Sequence, residues 1–363
     1  QSSSGVDKGN AIINCHLETG KIGQPGAAPF SITGQPNAMG GREAGGLANQ
    51  LAAHMDFSDP NNIQLVEHFW QAPQVARTEG LKAVDMFQAV HDGRIKAIWI
   101  MGTNPVVSMP DADFIREALQ RCDMVVVSDC MEKTDTTACA DVLLPATGWA
   151  EKDGTVTNSE RVISRQKGFL KPAGSSQHDW QIICSVARAM GYQKGFRFNS
   201  PAEIFAEHAA LSGFHNNGQR FFDISALASL SENEYNQLKP VRWPAVNNDK
   251  HPGSEVRSRL FCDGQFNTPT GRARLLPIEP IAPLNQTTAQ FPLILNTGRI
   301  RDQWHTMTRT GKANRLLNHI DQPYVDISGP DAAFHGIKDN DLVQINSAQG
   351  RCIVRTNVVK EQQ

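Results

Sequence analysis

No two of the seven cysteines, Cys15, Cys122, Cys130, Cys139, Cys184, Cys262 and Cys352, have the two-residue spacing of a metal knuckle or a dithiol redox motif. The pattern needed to ligate an iron–sulfur cluster is missing as well. With an odd count and no pairing signature, reduced and mostly buried thiols of a cytosolic protein are expected. There is little excess charge of either sign. A net charge of −2 gives no reason to expect nucleic acid or a membrane surface as partner. No run of eighteen apolar residues occurs, so no spanning helix is expected. The opening Gln1-Ser2-Ser3-Ser4-Gly5 lacks a basic region followed by an apolar one, which is not a signal peptide, and the missing initial Met fits a fragment or a processed chain.

What is present is ordinary globular usage, 40% hydrophobic and 20% charged over 363 residues, enough chain for two or three domains. Helical and strand-like patterns alternate over the first 195 residues. Gly5 to Thr19 predicts a helix with Ala11, Ile12, Cys15 and Leu17 as its apolar positions, stopped at Gly20. Val84 to His91 predicts a second helix. Ala97 to Met101, Met124 to Val127 and Val142 to Leu144 are short apolar runs, with an amphipathic stretch from Asp111 to Gln120 between the first two. Such runs separated by helices suit a parallel sheet whose faces are both covered. Sheets of this kind bind ligands at the carboxyl ends of their strands. Here those ends are Gly102 to Pro105, Ser128-Asp129 and Pro145 to Gly148, which are equally readable as ordinary strand-to-helix turns.

Residues 196–287 are rich in Asn, Ser and Pro, with Pro240, Pro244 and Pro252 interrupting any long element, and are expected to form a connector with a small helical insertion. From 288 onward four strands are expected, at Leu293 to Leu295, Tyr324 to Ile327, Leu342 to Ile345 and Cys352 to Arg355, spaced as in a β-barrel and cut short near the chain end. The fold class is therefore α/β, with a parallel-sheet domain over 1–195 followed by an incomplete barrel over 288–363.

Leu295 to Thr310 concentrates three Arg, one His, one Trp and four Thr after a strand end. Hydroxyl, guanidinium and backbone donors suit an anionic ligand with a planar ring system, and Trp304 could pack on rings. A plain polar barrel loop is the alternative.

Thr297-Gly298-Arg299, four further residues, then Trp304-His305-Thr306, opening a carboxy-terminal barrel, resembles the molybdopterin-dinucleotide-binding domain of the dimethyl sulfoxide reductase superfamily. Phe30 to Glu43, with its Gly-Gln-Pro-Asn-Ala-Met-Gly-Gly-Arg-Glu run, Trp149 to Thr155 and Asn158 to Arg161 look like segments of bacterial assimilatory and periplasmic nitrate reductases. The resemblance extends over essentially the whole chain. It implies a Rossmann-like α/β domain, a six-stranded double-psi barrel, and truncation at both ends.

It also implies roles. Asn104, Ser128, Asp129, Lys152 and Asp179 would contact the bis-molybdopterin guanine dinucleotide that carries molybdenum. Asp129 suits the two donors of a guanine edge. Residues from Thr297 to Thr306, among them Gly298, Arg299, Gln303, Trp304 and His305, would embrace the second pterin. Gln1 would end a motif that begins upstream. Arg42 would face nitrate, a planar monoanion that matches a guanidinium fork, and Met39 would line the approach. Other readings stay open: helix N-caps for Asp129 and for Asp179 ahead of a helix at Trp180 to Met190, and an ion pair of Arg42 with Glu43 or another helix carboxylate. The metal-ligating residue and the four-iron four-sulfur cluster would lie upstream, so this chain would be half of a cofactor cradle, inactive alone and without tightly held cofactor. Its partners would be nitrate, the remainder of its own chain and an electron-donor protein or domain, in the cytoplasm. A formate dehydrogenase-like molybdoenzyme and a nucleotide-binding scaffold module without redox chemistry are the competing readings.

Overall fold

The computed structural model describes residues 3–246, 259–308 and 310–360. Gln1 and Pro252 lie outside them. The helices are α1 (Gly5–Glu18), α2 (Ala38–Glu43), α3 (Pro60–Trp70), α4 (Ala83–His91), α5 (Pro105–Ser108) and α6 (Ala112–Arg121). After them come α7 (Asp179–Ala189), α8 (Pro201–Gly213), α9 (Glu232–Asn236), α10 (Asn314–Leu317) and α11 (Gly329–Phe334). The strands are β1 (Ala97–Met101), β2 (Met124–Asp129), β3 (Val142–Pro145), β4 (Gly154–Thr157), β5 (Val162–Gln166), β6 (Val241–Arg242), β7 (Tyr324–Ser328), β8 (Leu342–Asn346) and β9 (Arg351–Val359). No helix among the described residues is long and apolar enough to cross a membrane.

The expected β-α-β unit is present. β1, β2 and β3 form a parallel three-stranded sheet in that order. α6 is set by its own sequence. Asp111 caps it, accepting from the Phe114 amide at 3.2 Å, and Ile115, Ala118 and Leu119 form its buried stripe.

The chain divides into two compact units, 1–86 with 128–130 and 144–282, and 87–127 with 131–143 and 283–363. The first unit holds a core in which Met55, Val66, Ile163, Leu211, Phe222 and Ile224 are almost fully buried. The stretch expected as a connector thus supplies much of that core, because α8 is apolar on most sides and Phe222, Ile224, Tyr235 and Trp243 all turn inward. β4 and β5 pair antiparallel with Thr157 opposite Ile163, and β6 extends that sheet beyond β5. The Asn158 side chain closes the β4–β5 turn, accepting from the amides of Glu160 and Val162 at 2.9 and 3.0 Å.

In the second unit, β9 is central: β7 runs parallel to it and β8 antiparallel, with Tyr324 and Leu342 both opposite Arg355. Along β8 exposed and half-buried residues alternate, the mark of a sheet with one covered face. Three of the four strands expected here exist. Leu293 to Leu295 is not one of them: it is irregular and exposed, since a strand needs a neighbour for its backbone groups and no described residue pairs with it.

One further expectation is met and one is corrected. α1 forms as expected, but none of its residues is buried, so its apolar positions remain unused by the core. All seven thiols are free, yet only Cys184 is buried. Cys15 is exposed on α1, and Cys352 lies at an exposed position of β9.

Candidate functional site

Arg42 and Met39 sit on α2, a helix of six residues. Met39 leans on the core of its unit, whereas Arg42 is exposed. Glu43 does not pair with Arg42. It is 3% exposed and turned inward, where it accepts from Thr157 Oγ1 at 2.8 Å and from Trp243 Nε1 at 2.6 Å. Burial raises its carboxyl above the ordinary range, and the two donors oppose that shift. At the other end of α2, the Asn37 side chain accepts from the Thr157 amide at 2.9 Å. Beside Asn37 lies a cavity of about 150 Å³ lined by Thr33, Gln35, Met39, Thr157 and Ser159. That is room for several water molecules or a small ligand.

His54 was not singled out in the sequence. Its backbone is left-handed, with φ +57°, and its ring meets Phe222 at 5.2 Å and Trp243 at 5.7 Å. Its buried Nε2 has no hydrogen-bond partner among the described residues. Burial, then the Arg42 charge, lowers its pKa. His208 packs on the same Phe222 ring at 5.3 Å, and burial, with His54 adding to it, takes it down to about 4. The only available signal was a histidine inside the apolar run Leu51 to Met55, a placement that more often marks packing than chemistry.

A second group of the same unit gathers at strand and helix ends. Ser128 is fully buried and Asp129 closes β2, its carbonyl accepting from the Ala146 amide at 3.0 Å. Asp129 is therefore a strand residue and not an N-cap. Lys152 and Asp179, each expected to meet a ligand, form an ion pair with each other, about a third exposed on both sides. Asp179 is the first residue of α7, and the N-cap is His178, whose Nδ1 lies 3.1 Å from Thr147 Oγ1. An ion pair this open contributes little to stability, so either partner can be recruited by a ligand at small cost.

The third group lies in the second unit. Asn104 is 6% exposed and its amide is engaged on both sides. Its Oδ1 accepts from Thr136 Oγ1 at 2.6 Å, and its Nδ2 donates to Thr306 Oγ1 at 3.3 Å. That bond ties the 295–310 loop to the end of β1. Within the loop, Gln303 is buried and accepts from Thr310 Oγ1 at 2.7 Å, while Thr310 accepts from the Trp304 amide at 3.1 Å. Trp304 and His305 meet edge to face at 4.4 Å and remain exposed. Thr297, Gly298 and Arg299 are exposed and irregular, so the strand end expected before them is absent. Arg301 pairs with Asp302 at 3.1 Å, and that bond is the first cause holding the Asp302 carboxyl below its ordinary range.

The donor set here, a guanidinium, hydroxyls, an indole and backbone amides, has the chemistry a phosphate-bearing ligand with flat rings requires. Among the described residues, no cluster of three His, Cys, Asp or Glu could hold a metal ion.

The chain thus carries a parallel-sheet α/β region and, toward its carboxyl end, a small mixed sheet with a donor-rich loop ahead of it in sequence. Residues 1–189 match the family described as Molybdopterin oxidoreductase, and residues 293–363 match the Molydopterin dinucleotide binding domain. The chain belongs to the molybdopterin oxidoreductase family. It is 48% identical to a nitrate reductase of Klebsiella oxytoca over 99% of this chain and 40% of that protein. An assimilatory nitrate reductase catalytic subunit of Bacillus subtilis is 32% identical, over 99% of this chain and 49% of its own length. An F420-dependent formate dehydrogenase subunit alpha of Methanocaldococcus jannaschii is also 32% identical, over 99% and 50%. The chain thus spans half or less of the length of these relatives. Among solved structures, acetylene hydratase from Pelobacter acetylenicus shares the fold, with a TM-score of 0.58 at 16% identity, over 79% of this chain and 38% of that one.

Proposed function

We propose that this chain is part of a molybdenum enzyme that reduces nitrate to nitrite, and that it supplies contacts to a bis-molybdopterin guanine dinucleotide together with one substrate-facing arginine. The observation that carries the reading is the 48% identity to a nitrate reductase across 99% of the chain. The exposed guanidinium of Arg42, on the helix whose Ala38 and Met39 line the cavity, supports the substrate side. When bound, the cofactor supplies the oxygen-atom-transfer chemistry. The chain's residues bind and orient. The Arg42 fork holds the planar anion without risk of losing its proton, and Met39 lines the approach. Asn104, Ser128, Asp129, Lys152 and Asp179 hold the nucleotide, and the loop from Thr297 to Thr306 wraps a pterin. In the same reading, β7, β8 and β9 are part of a double-psi barrel, and the rest of the protein holds a four-iron four-sulfur cluster. An electron-donor protein or domain serves the enzyme in the cytoplasm.

In the cofactor-loaded holoenzyme, Arg42→Ala should raise the KM for nitrate at least about tenfold, the worth of one lost charge-assisted bond, with molybdenum content unchanged. An unchanged KM removes Arg42 from the substrate site. The likeness to a formate dehydrogenase subunit favours a second reading, formate oxidation. Turnover of formate in place of nitrate by the wild-type holoenzyme would establish that one instead.

A further inference from the structure

One residue holds both ends of the Arg42 helix. Thr157, the last residue of β4, is 3% exposed and uses its backbone and side chain in opposite directions along α2. Its amide donates to Asn37 Oδ1 at the amino end, at 2.9 Å. Its hydroxyl donates to Glu43 Oε2 at the carboxyl end, at 2.8 Å. Trp243 Nε1 donates to the other Glu43 oxygen at 2.6 Å, so the carboxylate is held from two elements. Gly40 completes the arrangement. A Cβ there would collide with the Asn37 side chain, which cannot turn away without giving up Thr157. Arg42, the neighbour of Glu43 in the same turn, is thereby kept exposed while Glu43 stays inside.

Resting on the proposed substrate role of Arg42, we propose that Thr157, through Asn37 and Glu43, is the positioning residue that fixes Arg42 for the anion. Six residues cannot hold a helical rotation by themselves, since so short a helix is unstable alone. With Glu43 freed from Thr157, α2 can roll and the guanidinium fork loses its aim. Ground-state binding of nitrate then suffers, whereas the chemistry on the cofactor does not.

The test uses the cofactor-loaded holoenzyme with nitrate as the varied substrate. Thr157→Val keeps the amide and the volume but removes the hydroxyl, and Thr157→Ser restores it. Thr157→Val should raise KM by about tenfold with kcat and molybdenum content within about twofold of wild type, and Thr157→Ser should return KM to near wild type. Asn37→Ala, which opens the other end of α2, should raise KM in the same direction and serves as the readout if Thr157→Val does not accumulate. A KM unchanged in Thr157→Val or Asn37→Ala, when Arg42→Ala raises it, overturns the positioning role and leaves the substrate reading standing. Equal losses of kcat and molybdenum content with KM unchanged make Thr157 merely structural and overturn it too. If KM is flat in Arg42→Ala as well, the substrate reading fails, and the positioning role falls with it.

Discussion

Replacing Phe222 by alanine is expected to destabilise the first unit by about 3–5 kcal/mol, the range for deleting a fully buried aromatic ring. Phe222 is 0% exposed and touches three rings, His54, His208 and Trp243, with Trp243 edge-on at 5.5 Å. None of these neighbours can collapse into the void freely: Trp243 is tied to Glu43, and His54 sits on a left-handed backbone. Urea unfolding at neutral pH measures the loss. A cost below about 1 kcal/mol would mean that the core repacks around the gap.

Acid should destabilise the protein before carboxylate protonation does. His208 is taken down to about 4 by burial, with the nearby His54 adding to the effect. Folded His208 therefore stays neutral between 6.5 and about 4, while the unfolded chain takes up a proton there. The stability this neutrality gives is complete above pH 6.5 and declines as pH falls through that window, by about 3 kcal/mol at pH 4. His54, lowered by burial and by Arg42, acts in the same direction. Glu43 acts in the opposite one, because its raised carboxyl favours the folded state at lower pH. His208→Leu removes one contribution alone. Melting temperatures of the two proteins should converge toward acid pH, the wild type losing more between pH 7 and 5. Parallel curves would show that His208 titrates normally.

What could be read from the sequence was local. β1, α6, β2 and β3 were visible because each carries its own signal: a short apolar run for each strand and an amphipathic stretch at helical spacing for α6. α4 likewise fell within a residue of its expected start. What could not be read depended on distant partners. Phe205, Phe222, Tyr235 and Trp243 are scattered through an Asn-, Ser- and Pro-rich stretch with no period, and only the three-dimensional core joins them. An ion pair of Glu43 with Arg42 was one reading left open, yet the donors to Glu43 lie 114 and 200 residues away. Leu293 to Leu295 has strand composition, but composition cannot supply the neighbour a strand requires. The candidate ligand residues were located by motif, and their mutual bonds, Lys152 to Asp179 and Asn104 to Thr306, were not.

The double grip of Thr157 on α2 has a consequence for the order in which the chain folds. Its two bonds close loops of 120 and 114 residues, and loops of that span form late. A six-residue helix has no lasting shape until they close. The β4–β5 hairpin, whose paired residues are near neighbours in sequence, can be in place well before that. Arg42 therefore takes up its final direction only when the segment around residue 157 has closed on α2.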